Sequence, residues 1–456
     1  MQQSYLDIVQ RAHEGTSVSK SDWDFHIIDS TREMVEKYRI SWDPAVITPD
    51  DPNLADSIFS AGRELLLETG VYSLKHGSII RLTEQEIDEG IRAMNRPLTL
   101  GEGADARTLL PRKISDSRRP VIWAGNPGVP TPERLFKPSV KSWAQEPLVD
   151  LITCGSLVDI DGYRVASGEP SELLASRREL VCLREVLREV GRPGMGMLAA
   201  ESSVTETGDL AATHPDLLRP CDAHLVALFN ELMIDNGNMV RAANSIYYGQ
   251  ANASLATVMV GGLGGDAPGA AVLQVASFLA ANIVCLADYH LCHPIHIRYV
   301  ATSTRGCMWL QSVVCQAFAR NAPAIIVCDI YPKSGALTEE VLYEVAANAL
   351  AAAVSGGHLE GVGSADGAYP HGTGIEVRLM AEVGHAAADQ GLSLPEANDI
   401  IQGLLVRYER VFELPGGNRG VPVDRAYDFS TLQPVPQWQA MYAQVKRELS
   451  GIGLQL

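Results

Sequence analysis

From Pro120 onward, short apolar runs alternate with amphipathic stretches, and this alternation constrains the fold more than any other feature of the chain. The runs fall at 120–124, 148–154, 194–199, 224–228, within 254–261, and at 294–297, 324–328 and 359–363. Each suits a strand buried on both faces, and each is followed by a segment with helical spacing. The clearest helical segments are 171–190, 236–247, 270–285, 304–320, 338–354 and 374–388, some opened by Ser or Thr in a capping position. Eight strand–helix units predict an α/β chain folded as a (β/α)8 TIM barrel.

The flanks read differently. Residues 1–118 predict a helical and hairpin cap, with helices at 21–37, 53–68 and 84–94 and a hairpin at 71–81. The barrel occupies 119–392. Residues 393–456 predict a helical extension packed on it, with helices at 394–410 and 437–449 separated by the Pro/Gly-rich stretch 414–423.

Composition narrows the function classes. With 46% hydrophobic and 20% charged residues, the chain can build a large core and is not disordered. A formal net charge of -18 repels phosphate backbones and anionic bilayers, so neither nucleic acid nor membrane is an expected partner. The longest apolar stretch, 270–287, is interrupted by Gln274, Ser277 and Asn282 and reads as a buried helix. The start of the sequence has no leader pattern, which predicts a cytoplasmic protein. The eight cysteines, at 154, 182, 221, 285, 292, 307, 315 and 328, include no Cys-x-x-Cys pair and read as reduced core thiols.

Barrel enzymes place their chemistry at the C-terminal ends of the strands, which directs attention to Asn126, Leu198, Glu201, Arg298, Asp329, Tyr331 and Asp366. Gly191, Gly194 and Gly196 precede and run through a strand, which suits close backbone approach better than a nucleotide loop. Gly261, Gly262 and Gly264 follow a strand and precede a helix, where backbone amides can meet a cofactor or simply form a tight loop. His290, His293 and His296 do not make a metal trio: on a strand His293 points away from the other two, and Pro294 prevents a helix that would align them. His296 and Arg298 read instead as substrate or cofactor contacts, and no metal is expected. Glu201, Asp329 and Tyr331 could surround a cation through charge and ring face, although Asp329 could equally cap local backbone.

The segment Gly191-Arg192-Pro193-Gly194-Met195-Gly196-Met197-Leu198-Ala199-Ala200-Glu201-Ser202-Ser203 resembles the monomethylamine:corrinoid methyltransferases. The similarity extends through 53–72, Pro294-Ile295-His296-Ile297-Arg298, Thr302-Ser303-Thr304-Arg305, 361–366 and 373–380. It implies a TIM barrel, commonly hexameric, that passes a methyl group from a small methylated amine to the Co(I) corrinoid of a separate small corrinoid-binding protein. No tightly bound cofactor of its own is implied. Leu198 stands where that family carries the electrophilic residue pyrrolysine, Leu255 where it carries a glutamate and Asp329 where it carries a glutamine. Glu201 and Tyr331 match a pocket glutamate and a pocket tyrosine.

The resemblance and the substitutions together imply a methyltransferase that works without pyrrolysine. Leucine offers only an apolar wall, so the substrate must bring its own leaving group, as a quaternary ammonium does. Glu201, Asp329 and Tyr331 are then the expected catalytic residues, with Leu198, Leu255, Arg298 and His296 at the substrate and Gly261, Gly262 and Gly264 toward the corrinoid. Two other readings remain open at this point. One is a lyase or hydrolase using Asp329 and Tyr331 as acid and base; the other is a non-catalytic paralogue that binds a methylated ligand or a corrinoid protein.

Overall fold

The computed structural model describes residues 2–456. Eight parallel strands form the central sheet: β1 (Ile122–Gly125), β2 (Leu151–Ile152), β3 (Leu198–Ala199), β4 (Ala223–Ala227), β5 (Ala251–Ala256), β6 (Tyr289–Cys292), β7 (Ile326–Ile330) and β8 (His358–Val362). They pair in chain order, β8 returns to β1, and a parallel bridge from Ile152 to Met197 closes β2 onto β3. The Ile152 amide donates to the Gly196 carbonyl at 3.1 Å across this seam. A helix follows every strand: α1 (Glu133–Ala144), α2 (Pro170–Glu189), α3 (Glu206–Ala212), α4 (Asn236–Tyr248), α5 (Ala267–Val284), α6 (Arg305–Asn321), α7 (Glu339–Ser355) and α8 (Gly374–Gln390). The chain is a TIM barrel.

Two apolar layers follow from the period-2 alternation of the strands. Outward residues such as Cys328, Leu359 and Ile122, which are neighbours in register, pack under the helices. Inward residues, among them Trp123, Leu198, Tyr289, Leu291 and Val327, fill the barrel. Thr304 and Thr338 cap α6 and α7, each accepting from the backbone N–H three residues on at 3.3 Å, and Thr373 with Glu376 makes a capping box at α8.

Two strands differ from the sequence reading. The sixth barrel strand is 289–292, not 294–297, and the fifth begins at 251. The misleading run does pair, since Ile295–His296 lies parallel to Met259–Val260, but this small ribbon sits beyond the barrel, after the chain has passed Pro294. Helices α1 and α3 supply the two strand-following helices that the sequence reading left without bounds, and the N-terminal helix Gln2–Glu14 lies outside the predicted helices.

The glycine frame before β3 has a structural cause. A hairpin of Leu98–Leu100 and Arg107–Leu109 plugs the lower end of the barrel and places Leu100 and Leu109 in the interior cluster. Its turn lies directly on the chain entering β3: the Glu102 amide donates to the Gly194 carbonyl at 2.8 Å. A Cβ on Gly194 would stand 2.3 Å from the Glu102 carbonyl oxygen, and one on Gly196 would stand 2.7 Å from Leu151 Cδ2 and 2.8 Å from the Gly101 amide.

The other N-terminal elements wrap upward. Strand Val71–Ser73 pairs with Met233–Ile234 from the loop after β4, and Trp23 donates its indole N–H to the Glu231 carbonyl at 3.1 Å. At the other end of the chain, helix Leu394–Tyr408 packs on α7. Helix α5 is long and apolar enough to cross a membrane, but 83% of its apolar window is buried, largely against Pro52–Thr69. The eight cysteines are free, six of them buried.

Candidate active site

The loop leaving β3 is fixed from behind. Glu179 on α2 accepts from the Glu201 and Ser202 amides at 2.9 and 2.6 Å and from the Cys154 thiol at 3.1 Å. Glu172 takes the Thr205 amide at 2.7 Å, while Arg241 on α4 donates to the Ser203 and Thr205 carbonyls at 2.8 and 3.0 Å. This brace aims Glu201 across the mouth toward the loop after β1, where a Cβ on Gly128 would stand 3.9 Å from its Oε2. Tyr331 reaches the same loop and donates its hydroxyl to the Pro127 carbonyl.

A buried polar chain positions the end of β7. Gln311 on α6 donates its side-chain amide to the Cys292 and Asp329 carbonyls at 3.0 and 2.9 Å, tying β6 to β7. Asn348 donates to Gln311 at 2.6 Å and accepts from Thr302 at 2.7 Å, and Thr302 in turn accepts from the Tyr331 amide at 2.9 Å. Asp329 and Tyr331 therefore start from a rigid base, as a preorganised site requires.

Strand register then assembles the interior. Asp329 on β7 lies opposite Glu360 on β8, and Glu360 lies opposite Trp123 on β1, so one rung carries two acids and an indole. Asp329 pairs through Oδ2 with His293 Nδ1 at 2.7 Å, and the His293 ring sits edge-on to Tyr331 with centroids 4.6 Å apart. Tyr289 stacks on Trp123 at 5.7 Å. Leu198, fully buried, and Leu255, partly buried, belong to the same interior cluster.

This interior is electrostatically unusual. Among the described residues, Glu201 Oε1, Asp329 Oδ1, both Glu360 carboxyl oxygens and the Tyr289 hydroxyl are out of solvent with no protein hydrogen-bond partner. Burial pushes the Glu201 carboxyl up to about 8, and Glu179 and Asp329 add to the rise against the pull of Arg241. Glu360 is raised well above the ordinary carboxyl range by burial first, then by Asp329 and Glu201. Burial and the same acids hold the Tyr331 phenol fully protonated. A cluster of buried acids with no lysine or arginine paired to it among the described residues has the chemistry that suits a cation.

The other predicted residues lie around this centre. Arg298 is exposed, with its guanidinium 5.4 Å from the Tyr299 ring centroid, and half-buried His296 packs against the same ring at 4.5 Å. Both stand on the rim after β6, outside the acid cluster. Gly261 and Gly262 spend their amides on the Gly265 and Met259 carbonyls at 2.7 and 2.9 Å, so these two donors serve the turn itself. Gly264 sits against Leu273 of α5. Asn126 donates to Thr131 at 3.2 Å and leaves its carbonyl oxygen without a donor. Asp366 is held by Lys333 and, at 2.7 Å, by Arg419, which makes it a clamp between the mouth and the C-terminal segment.

The three histidines go to three places. His290 faces outward, stacks on Phe278 at 4.7 Å and bonds Ser254 at 2.8 Å, while His293 reaches Asp329 and His296 stands on the rim. Sequence reasoning missed Glu360, His293 as the partner of Asp329, and the aromatic pair Trp123 and Tyr289. The sequence offered only a faint signal, one acid within the run 359–363, whose meaning depends on the strand register.

The sequence pattern of the family described as monomethylamine methyltransferase MtmB matches residues 4–454. The chain belongs to the monomethylamine methyltransferase family. It is 30% identical over 453 residues to monomethylamine methyltransferase MtmB of Methanosarcina mazei, covering 98% of this chain and 97% of that one. MtmB1 of Methanosarcina acetivorans gives the same identity and coverage. The crystal structure of the Methanosarcina barkeri enzyme superposes with a TM-score of 0.95 at 29% identity, covering 99% of this chain and 98% of that one. A hydroxylamine complex of MtmB matches equally well. The protein is thus a methyltransferase of the methylamine type, in a family whose methyl transfer depends on a corrinoid.

Proposed function

We propose that this member of the family transfers a methyl group from a small methylated ammonium ion, preferentially a quaternary one, to the corrinoid of a separate small protein, without an electrophilic residue at position 198. The observation that carries the proposal is Leu198, fully buried in the barrel interior that also holds the acids. Leucine can neither capture an amine covalently nor orient it by a bond, so orientation falls to charge and shape. Glu201 and Asp329 attract the cation, the rings of Tyr331, Tyr289 and Trp123 offer negative faces, and Leu198 with Leu255 supports the methyl groups. A quaternary nitrogen leaves as a neutral tertiary amine when one methyl is transferred, so no proton has to move.

The corrinoid supplies the nucleophilic metal that accepts the methyl. The mouth has features that fit a planar, methyl-fringed ring carried by a docking protein. Val204, Phe229, Ile297 and Val300, from the loops after β3, β4 and β6, are 68%, 39%, 52% and 42% exposed. Arg298, His296 and the Gly261–Gly265 turn complete that rim, with Gly262 and Gly264 inside the turn. The family resemblance further supports a homo-oligomer, a hexamer.

The unpartnered carboxyl oxygens favour a second substrate, a protonated lower amine whose N–H groups would donate to Glu201 Oε1 or Asp329 Oδ1. A panel of quaternary, tertiary, secondary and primary methylammonium salts and a sulfonium, each mixed with this protein and a reduced corrinoid protein, separates the two. Methylation of the corrinoid, followed by its absorption spectrum, is expected with the quaternary salts. Transfer only from the lower amines would support the second substrate, and none from any compound would refute methyl transfer.

A further inference from the structure

Glu360 has no role in the reading above, yet its carboxyl is buried in the barrel without a hydrogen-bond donor among the described residues. The register places it directly opposite Asp329, whose own Oδ1 is also unpartnered. Two bare carboxylates side by side in a buried site repel strongly, whereas one proton between them satisfies an oxygen on each. Among the described residues, His293 on Asp329 Oδ2 is the one cationic side chain paired with these acids, and none is paired with Glu360. Asp329 on β7, Glu201 after β3, Tyr289 on β6 and Tyr331 after β7 all bear on Glu360, and all are acids. The only ion pair among the three carboxyl groups is Asp329 with His293, on the oxygen away from the free one.

We propose that Glu360 and Asp329 share one proton in the free enzyme and that Glu360 gives this proton to solvent when a cation occupies the site, so that substrate enters by cation-for-proton exchange. The balance is simple: the carboxyl O–H breaks, the proton goes to water, and the new carboxylate replaces it with the positive charge of the ligand. Net charge in the site is unchanged. Glu360 is on this view a cation-binding residue that keeps an empty, water-excluded site near neutrality while allowing it to present a full negative charge to substrate. The inference rests on the reading that the site binds an ammonium ion.

Calorimetric titration with tetramethylammonium chloride and with methylammonium chloride, in two buffers of different ionisation enthalpy, counts the protons released. The wild-type protein is expected to release close to one proton per cation bound near neutral pH, with affinity rising up to about tenfold per pH unit. Glu201 could release the proton instead, and variants separate the two sources. Glu360→Gln should reduce the release and flatten the pH slope, whereas Glu201→Gln should retain release. One component of the infrared carbonyl absorption of buried protonated carboxyls should vanish on binding, and that component should be missing from Glu360→Gln and kept in Glu201→Gln. Binding of either cation by the wild-type protein without proton release would overturn the exchange, even if the variants fail to fold, and so would undiminished release by Glu360→Gln. Failure of both cations to bind would overturn the reading of the site as a cation site, and the exchange with it.

Discussion

Replacing Glu201 by Gln should make the protein more resistant to alkaline conditions, in a way that can be calculated. The Glu201 carboxyl rises from its ordinary value of 4.5 to about 8 in the folded protein, chiefly through burial. The folded state therefore holds this proton more tightly than the unfolded state does. The stabilisation is fully present below about pH 4.5, declines as pH rises, and is gone above about pH 8. Each pKa unit is worth about 1.4 kcal/mol, which sets a ceiling of about 5 kcal/mol on the loss. Glutamine mimics the neutral acid at every pH and escapes that loss. An unfolding entropy of about 2.1 cal/mol/K per residue makes 1 kcal/mol worth about one degree in a chain of this length. The Tm of Glu201→Gln relative to wild type should accordingly climb by a few degrees, up to about 4, between pH 5 and pH 9. Scanning fluorimetry of both proteins across that range checks it, and a pH-independent difference would refute the reasoning. Tetramethylammonium chloride should narrow the gap at high pH, because it stabilises the ionised Glu201 of the wild type and not the glutamine.

Leu198→Ala should cost about 2–5 kcal/mol of stability, since the side chain is fully buried, and should raise KM more than it lowers kcat. A folded variant with normal substrate binding but no turnover would assign Leu198 a chemical role and refute the account of it as a wall. Asp329→Ala removes one carboxylate facing the cation and strands His293, so tetramethylammonium affinity should fall by at least about tenfold in a calorimetric titration. Gly194→Ala drives a methyl to 2.3 Å from the Glu102 carbonyl and should dislodge the hairpin plug, which limited proteolysis near 98–109 would detect.

The architecture was legible because barrel strands buried on both faces leave apolar runs, and because each run is followed by an amphipathic helix with a visible start. It failed at the sixth strand for a physical reason: Tyr289-His290-Leu291-Cys292 mixes polar and apolar residues, since His290 is satisfied by Ser254 in the outer layer. The more apolar run beyond Pro294 pairs outside the barrel. At the site, Glu201, Asp329 and Tyr331 could be picked out as polar residues just past apolar runs. Glu360 could not, because its importance lies in being opposite Asp329, and register between β7 and β8 is a property of closure, not of either segment alone. The same holds for Glu179, Glu172 and Arg241, which look like ordinary helix charges in sequence and turn out to hold the Glu201 loop from beneath.

The central claim is that methyl transfer here proceeds without an electrophilic side chain at position 198. The most direct measurement uses the unmodified protein after incubation with hydroxylamine, a nucleophile found bound in the structure of a relative, followed by desalting. Its rate of corrinoid methylation from the best quaternary ammonium substrate is then compared with that of untreated protein. Leu198 offers no carbon for hydroxylamine to attack, so the account predicts equal rates. Inactivation by hydroxylamine would contradict it.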